Sequence, residues 1–271
     1  MNSYLELECG GNSKIIFLKG GMKKILKPII QRYLRFLTRL VLMRHKPLII
    51  AVAGTTNKTF IKETILEELG RGPDIRGNPK SFNTEIGLPL AVLFLPSGYS
   101  SVFKWVDVLL SGTCLSIFSR KFPKVLVLEM GVDRKNDMKY LLSMVKPKIA
   151  VITSIDRSFP DNNTTMDDIA QEMKDLVSVI PEDGAVLLNA DDERVTMLKD
   201  FAKAGVICYG RNLNADVRLD NISMTDSGQS FDLFFNDEKF SYETQKFGEH
   251  NLIAMAVAKV ISKEIKKYGV L

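Results

Sequence analysis

Lys58 and Thr59 close a small polar turn, Gly54-Thr55-Thr56-Asn57, that follows the apolar run Ile49-Ile50-Ala51-Val52-Ala53 and leads into Phe60-Ile61-Lys62-Glu63-Thr64-Ile65-Leu66. Strand, phosphate-holding loop and helix is the reading that these types in this order support. Backbone N–H groups at a helix start point at an anion, a lysine there reaches terminal phosphates, and a threonine hydroxyl can ligate Mg²⁺. The full phosphate-loop pattern would place glycines at positions 52 and 57, where this chain has Val52 and Asn57. Asn57 is the mild departure, because asparagine enters the positive-φ region more readily than any residue but glycine. On the pattern alone, an ordinary strand–turn–helix with a solvated lysine stays open.

A second apolar run, Lys124-Val125-Leu126-Val127-Leu128-Glu129-Met130-Gly131, ends in a carboxylate. In open α/β sheets ligands sit at the carboxyl ends of the strands, so Glu129 is expected to face the phosphate loop as a candidate Mg²⁺ ligand. A salt-bridged acid at a strand end is the competing reading. Between these two strands lies a Gly/Pro/Asn-rich stretch over 77–89, of the kind that carries function or merely connects.

The elements that must hold these residues alternate. Strands are expected near 149–153, 185–189 and 206–209, with helices over 137–145, 166–179 and 193–203, the second opened by Thr164 or Thr165. This is an α/β pattern: a phosphate-loop type, mostly parallel sheet with helices on both faces. From 216 to 247 residues alternate between turn signals and aromatics recur, which reads as a small antiparallel β appendage before a last helix that His250-Asn251 open. Residues 102–118 are almost continuously apolar, interrupted by Lys104 and Asp107, and too short for a membrane span. A buried or interfacial helix is expected there.

The net charge of +5 is unevenly spread over the 271 residues, since no Asp or Glu occurs between Lys14 and Ile61. Basic residues from Lys19 to Lys46 are interleaved with apolar ones at helical spacing, giving a basic N-terminal helix before the first strand. Such a helix either packs on the core with a solvated basic face or contacts an anionic membrane surface, here through residues 22–46. The sequence divides into an extension over 1–46 and one domain over 47–271. Cys9, Cys114 and Cys208 are few and far apart, which fits a cytoplasmic protein without a disulfide frame. Residues 1–18 carry two acids and no basic start, so no signal peptide is expected. With His45 and His250 the only histidines, histidine-based metal or triad chemistry has little to work with.

Six blocks in order carry a resemblance: Gly54-Thr55-Thr56-Asn57-Lys58-Thr59, Asn83-Thr84-Glu85-Ile86-Gly87, Val127-Leu128-Glu129-Met130-Gly131, Val145-Lys146-Pro147 before Val151-Ile152-Thr153, Leu188-Asn189-Ala190-Asp191-Asp192 and Gly248-Glu249-His250-Asn251. They resemble the central, ATP-binding domain of the Mur ligases, in particular the D-alanyl-D-alanine-adding branch of peptidoglycan synthesis. The resemblance implies an ATP- and Mg²⁺-dependent ligase that joins a carboxylate to an amine through an acyl phosphate. It implies that Lys58 and the amides of Gly54 to Thr59 hold the phosphates, that Thr59 and Glu129 hold Mg²⁺, and that Lys58 and Glu129 are the catalytic pair. Asn189, His250 and Asn251 would lie near the nucleotide base, and Asn83 and Thr84 near the acid substrate, a UDP-muramoyl-peptide or similar molecule.

The chain departs from the family in ways that bear on activity. Phe159 stands where the family has a metal-ligating histidine, with Asp156 or Asp161 as the nearest substitutes. Met173 stands where it has a carbamylated lysine, and Lys174 is about 100° further round the helix. Against the family, the N- and C-terminal domains are expected to be missing or reduced here, either because the chain is truncated or because a partner chain supplies the C-terminal one. Peripheral membrane contact stays open and no nucleic-acid partner is expected. Alternatives to a ligase are a catalytically degenerate nucleotide-binding or scaffold module and, further off, a phosphate-loop kinase or ATPase.

Overall fold

The computed structural model describes residues 20–79, 81–99, 101–156, 164–236 and 238–270. One nine-stranded sheet runs through it. Its strands are β1 (Leu48–Ala53), β2 (Ile75–Gly77), β3 (Val125–Glu129), β4 (Ile149–Ile152), β5 (Ala185–Asn189), β6 (Gly205–Gly210), β7 (Val217–Thr225), β8 (Gly228–Phe235) and β9 (Glu238–Thr244). They lie in the order β2-β3-β1-β4-β5-β6-β7-β8-β9. Every pairing from β2 through β7 is parallel, and β7–β8 and β8–β9 are antiparallel. The expected antiparallel appendage is therefore an extension of the main sheet, joined where Tyr209 and Gly210 of β6 pair with Val217 and Arg218.

The first strands explain where a ligand fits. The chain leaves β1, runs out to β2 at the edge, returns through β3 beside β1, then crosses to β4 on the other side of β1. The loop after β1 thus opens at the point where the direction of winding reverses, with the ends of β3 and β4 on either side. Such a switch point is the crevice that open parallel sheets offer to ligands.

Helices cover both faces. On one side α2 (Lys58–Glu68) and α8 (Glu249–Lys266) bury Ile61, Ile65, Leu66, Leu252, Val257 and Ile261 against alternate residues of the strands. The other side carries α1 (Gly20–His45), α3 (Gly87–Val92), α4 (Val102–Phe118), α5 (Asp137–Leu142) and α6 (Met166–Val179). A short α7 (Glu193–Thr196) passes into a 3-10 turn, Met197–Phe201, where the sequence predicts one continuous helix. The buried parallel strands lack the polar alternation of a half-exposed sheet because both faces are covered.

The basic helix α1 is a core element: Leu34, Leu37 and Val41 are fully buried in the same cluster as the β1 and β3 side chains. Full burial of each contributes about 1.5–3 kcal/mol relative to exposure. Packing of one face leaves the opposite face of α1 in solvent, and α4 likewise is half exposed where a buried helix was one expectation. Thr165 opens α6 with a reciprocal capping box to Asp168, as the sequence suggests. Among the described residues no helix is long and apolar enough to cross a membrane.

Candidate functional site

Gly54 ends β1 at φ +132°, and a Cβ there would overlap Thr153 Oγ1 and the Ser154 backbone. Only glycine lets the loop turn this close to the end of β4. Hydroxyls then stitch the turn down. Thr55 N donates to Ser154 O at 2.9 Å, Thr56 Oγ1 shares a hydrogen bond with Ser154 Oγ at 2.7 Å, and Thr153 Oγ1 donates to Thr56 O at 2.7 Å. Thr56 Oγ1 also reaches Asp156 Oδ2 at 3.3 Å. Asn57 takes the left-handed conformation (φ 59°, ψ 2°) that a glycine would adopt, so its exchange for glycine leaves the turn intact. No side chain caps the start of α2, whose first N–H groups face the mouth of the loop and suit an anion.

Lys58 folds back to donate to Thr55 O at 2.9 Å. Desolvation lowers its pKa from the usual lysine value, against the opposing pull of the Glu129, Asp133 and Asp156 carboxylates. A phosphate in the loop would add negative charge beside this partly desolvated ammonium.

Glu129 is 5% exposed at the end of β3. Its Oε2 accepts from Thr59 Oγ1 at 2.8 Å and its Oε1 from Asn83 Nδ2 at 2.8 Å. The two residues that the sequence offers as Mg²⁺ ligands are thus brought together, and Asn83 joins them. Gly131 makes room, because a Cβ there would meet the Asn83 amide at 2.8–3.0 Å. Thr84 follows on the same segment, its carbonyl accepting from Leu88 N as α3 begins. Two oxygens side by side, one hydroxyl and one carboxylate, fit a hard cation that keeps several waters and phosphate oxygens.

Three contributors were not legible as such in the sequence. Asn78 clamps the Glu129 backbone from both sides, accepting from its N–H at 2.8 Å and donating to its carbonyl at 2.9 Å. Lys62 is fully buried, donates to Asn78 O at 2.6 Å, and lies 3.1 Å from Glu63 Oε1 and 3.9 Å from Glu129 Oε2. A lysine is rarely buried unless paired, and this one balances the Glu129 charge from behind. Its signal was its position, three residues after Thr59 and so on the same side of α2. Ser154, the third, holds the loop from β4.

Of the remaining predicted residues, Asn189 lies at a neighbouring strand end, and His250 and Asn251 lie at the start of α8. Asn189 closes β5 with Nδ2 donating to Thr153 O at 2.7 Å, which places it beside the loop's anchor. His250 opens α8 and meets Phe60 of α2 edge-on at 4.7 Å. Asn251 Nδ2 lies 3.1 Å from His250 Nε2 and donates to Phe247 O at 2.6 Å.

The second metal position implied by the resemblance does not fit these side chains. Met173 is buried in the core, and the Lys174 ammonium sits 3.7 Å above the Phe201 ring. Among the described residues no three His, Cys, Asp or Glu side chains are grouped to hold a metal. Asp156 hydrogen-bonds within the loop, while Phe159 and Asp161 lie outside the described residues.

Comparison with known proteins agrees with this architecture. The UDP-N-acetylmuramoyl-tripeptide–D-alanyl-D-alanine ligase of Bacillus subtilis is 26% identical over 209 residues, covering 77% of this chain and 39% of the relative. A crystal structure of MurF from Acinetobacter baumannii superposes with a TM-score of 0.68 at 17% identity, covering 89% of this chain and 46% of that one. MurF from Thermotoga maritima in complex with ADP gives 0.67 at 18% identity, over 96% and 53% of the two chains. At these identities the structural likenesses establish the fold. The chain spans about two-fifths of the length of the curated relative. Residues 110–261, more than half of the sequence, match the family model of the Mur ligase middle domain. The chain belongs to the Mur ligase middle-domain family.

Proposed function

We propose that this chain is the ATP-binding module of an amide-bond ligase acting in peptidoglycan precursor synthesis in the cytoplasm. In this reading residues 47–271 form the ATP-binding unit and 1–46 an extension, of which α1 packs on that unit. The observation that carries the reading is the Thr59–Glu129 contact of 2.8 Å at the mouth of a phosphate loop. In this reading the loop amides and Lys58 hold the β- and γ-phosphates, with Lys58 swinging from Thr55 O to the transferring group. Thr59 and Glu129 would hold Mg²⁺, which when bound would offset charge on the phosphate oxygens. Asn189, His250 and Asn251 receive the base, His250 being steadied by Phe60.

The acid substrate, a UDP-muramoyl-peptide or a similar carboxylate, enters beside Asn83 and Thr84. Its carboxylate oxygen attacks the γ-phosphorus and ADP leaves; an amine then attacks the acyl carbon, phosphate leaves, and the nitrogen gives up one proton to the departing phosphate. No proton has to be removed for the first step, so positioning and charge neutralisation suffice. Delivery of the amine is assigned to a domain outside residues 47–271. The ligases among the relatives favour this reading over a scaffold, and family membership favours it over a phosphate-loop kinase.

The test is ADP formation by the purified chain with Mg·ATP and UDP-muramoyl-tripeptide. Substrate-dependent ADP release that added hydroxylamine traps as a hydroxamate is expected. Nucleotide binding without any such release, even with a candidate partner chain present, would refute the ligase assignment.

A further inference from the structure

The outer sides of α1 and α4 form one surface that the nucleotide site does not use. The two helices are joined along their length. Tyr33 Oη and Thr113 Oγ1 share a hydrogen bond of 2.8 Å, Ser116 Oγ donates to Leu37 O at 3.4 Å, and the Arg44 guanidinium reaches Ile117 O. Their inner sides are filled by Leu34, Leu37, Val41 and Val108. On the outer side of α1, Ile29, Phe36 and Met43 recur every seventh residue and are 58%, 58% and 68% exposed. On α4, Phe103, Leu110 and Ile117 do the same at 88%, 62% and 47%. A seven-residue step drifts only about 20° on a straight helix, so each set is a single stripe. Single exposed apolar side chains are ordinary, whereas two adjoining stripes mark an interaction surface.

Charge selects the partner. Residues 20–46 hold eight lysines and arginines and no carboxylate. Exposed Arg32 and Arg39 follow Ile29 and Phe36 by three positions and so stand within the stripe, and Lys104, Arg120 and Lys121 flank the α4 stripe. Asp107 is the one acid within α4. Interleaved apolar and cationic side chains, lying along described helices of which neither is long and apolar enough to cross a bilayer, fit the headgroup zone of an anionic bilayer.

We propose that α1 and α4 together form a platform that seats this chain on an anionic lipid surface. The platform shares no residue with the phosphate loop or the Glu129 cluster, and the proposal stands apart from the ligase reading. The experiment is co-sedimentation of the full chain with phosphatidylcholine vesicles, with and without phosphatidylglycerol. Binding to the anionic vesicles alone, weakened by salt, is expected. Arg32→Gln and Arg39→Gln should each lower the partition about fivefold. The triple variant Phe36→Gln/Phe103→Gln/Leu110→Gln should lower it about a hundredfold or more, with an unchanged thermal midpoint. Should the triple variant fold poorly, the arginine pair still decides the matter, since both side chains are exposed. An intact chain that stays in the supernatant, or variants that bind like the parent, would overturn the proposal. So would a lipid-free, concentration-dependent dimer that the triple variant abolishes, which would give the surface to a second copy.

Discussion

Glu129 and Glu172 are both buried glutamates, the first facing α2 and the second on α6 across the sheet, and they differ in what holds them. Glu129 accepts from the side chains of Thr59 and Asn83, at the open end of the sheet. Glu172 accepts from the backbone N–H groups of Asn136 at 2.6 Å and Met138 at 2.7 Å, and so closes the start of α5. Side-chain donors can turn aside when a cation arrives; backbone donors cannot. Desolvation raises the Glu172 pKa, aided by Asp175 and Asp137 and opposed by those N–H groups. Burial alone therefore does not mark a metal ligand. The identity of the donors does.

The largest expected effect falls on the loop that Glu129 serves. Lys58→Ala removes the ammonium assigned here to the phosphates and should weaken binding of a non-hydrolysable ATP analogue about 100-fold or more in calorimetry. Next comes the paired test of the two glutamates. Glu129→Gln should abolish the Mg²⁺ dependence of binding while leaving the fold intact. Glu172→Gln should leave nucleotide affinity unchanged and lower stability by about 1–3 kcal/mol, read as a fall in thermal midpoint. Equal effects of the two substitutions on Mg²⁺ dependence would erase the contrast drawn above.

A pH profile sharpens the role of Lys58. Its pKa is depressed in the folded, ligand-free protein, mainly by desolvation. The charged form is therefore penalised by folding below that pKa, and the penalty is relieved as pH rises through it. Phosphate binding needs the charged form, so affinity should decline as pH rises, beginning below the ordinary lysine value of 10.5. Lys58→Met should lose that decline together with most of the affinity, and should raise the thermal midpoint. The smallest effect is expected at Asn57. Asn57→Gly should change nucleotide affinity by less than about threefold, because both residues accept φ near +59°; Asn57→Ala should cost about 1–2 kcal/mol of stability.

What could be read in the sequence was local or periodic. The apolar run before Gly54, the Lys58-Thr59 pair and the acid ending the run at Glu129 each follow from neighbours in the chain, and the strand–helix alternation gave the parallel sheet. Long-range partners were out of reach. Asn78 sat in a stretch that read equally as functional or as a plain connection, and its two bonds to the Glu129 backbone span 51 residues. Lys62 is buried behind Glu129, a placement that no neighbour in the chain indicates. The basic pattern of α1 could not distinguish a packed helix from a surface one. It is packed through Leu34, Leu37 and Val41, with a second face left over. Three-residue β2 carried no periodicity to detect, and the antiparallel strands gave no sign that they would continue the main sheet through β6.

The measurement that bears most directly on the central claim is calorimetric titration of the purified chain with a non-hydrolysable ATP analogue, with and without Mg²⁺. Binding in the micromolar range that requires both Mg²⁺ and Glu129 is the predicted result. No binding at millimolar nucleotide, or binding indifferent to Mg²⁺ and to Glu129→Gln, would contradict the assignment of Thr59 and Glu129 as a working cation site.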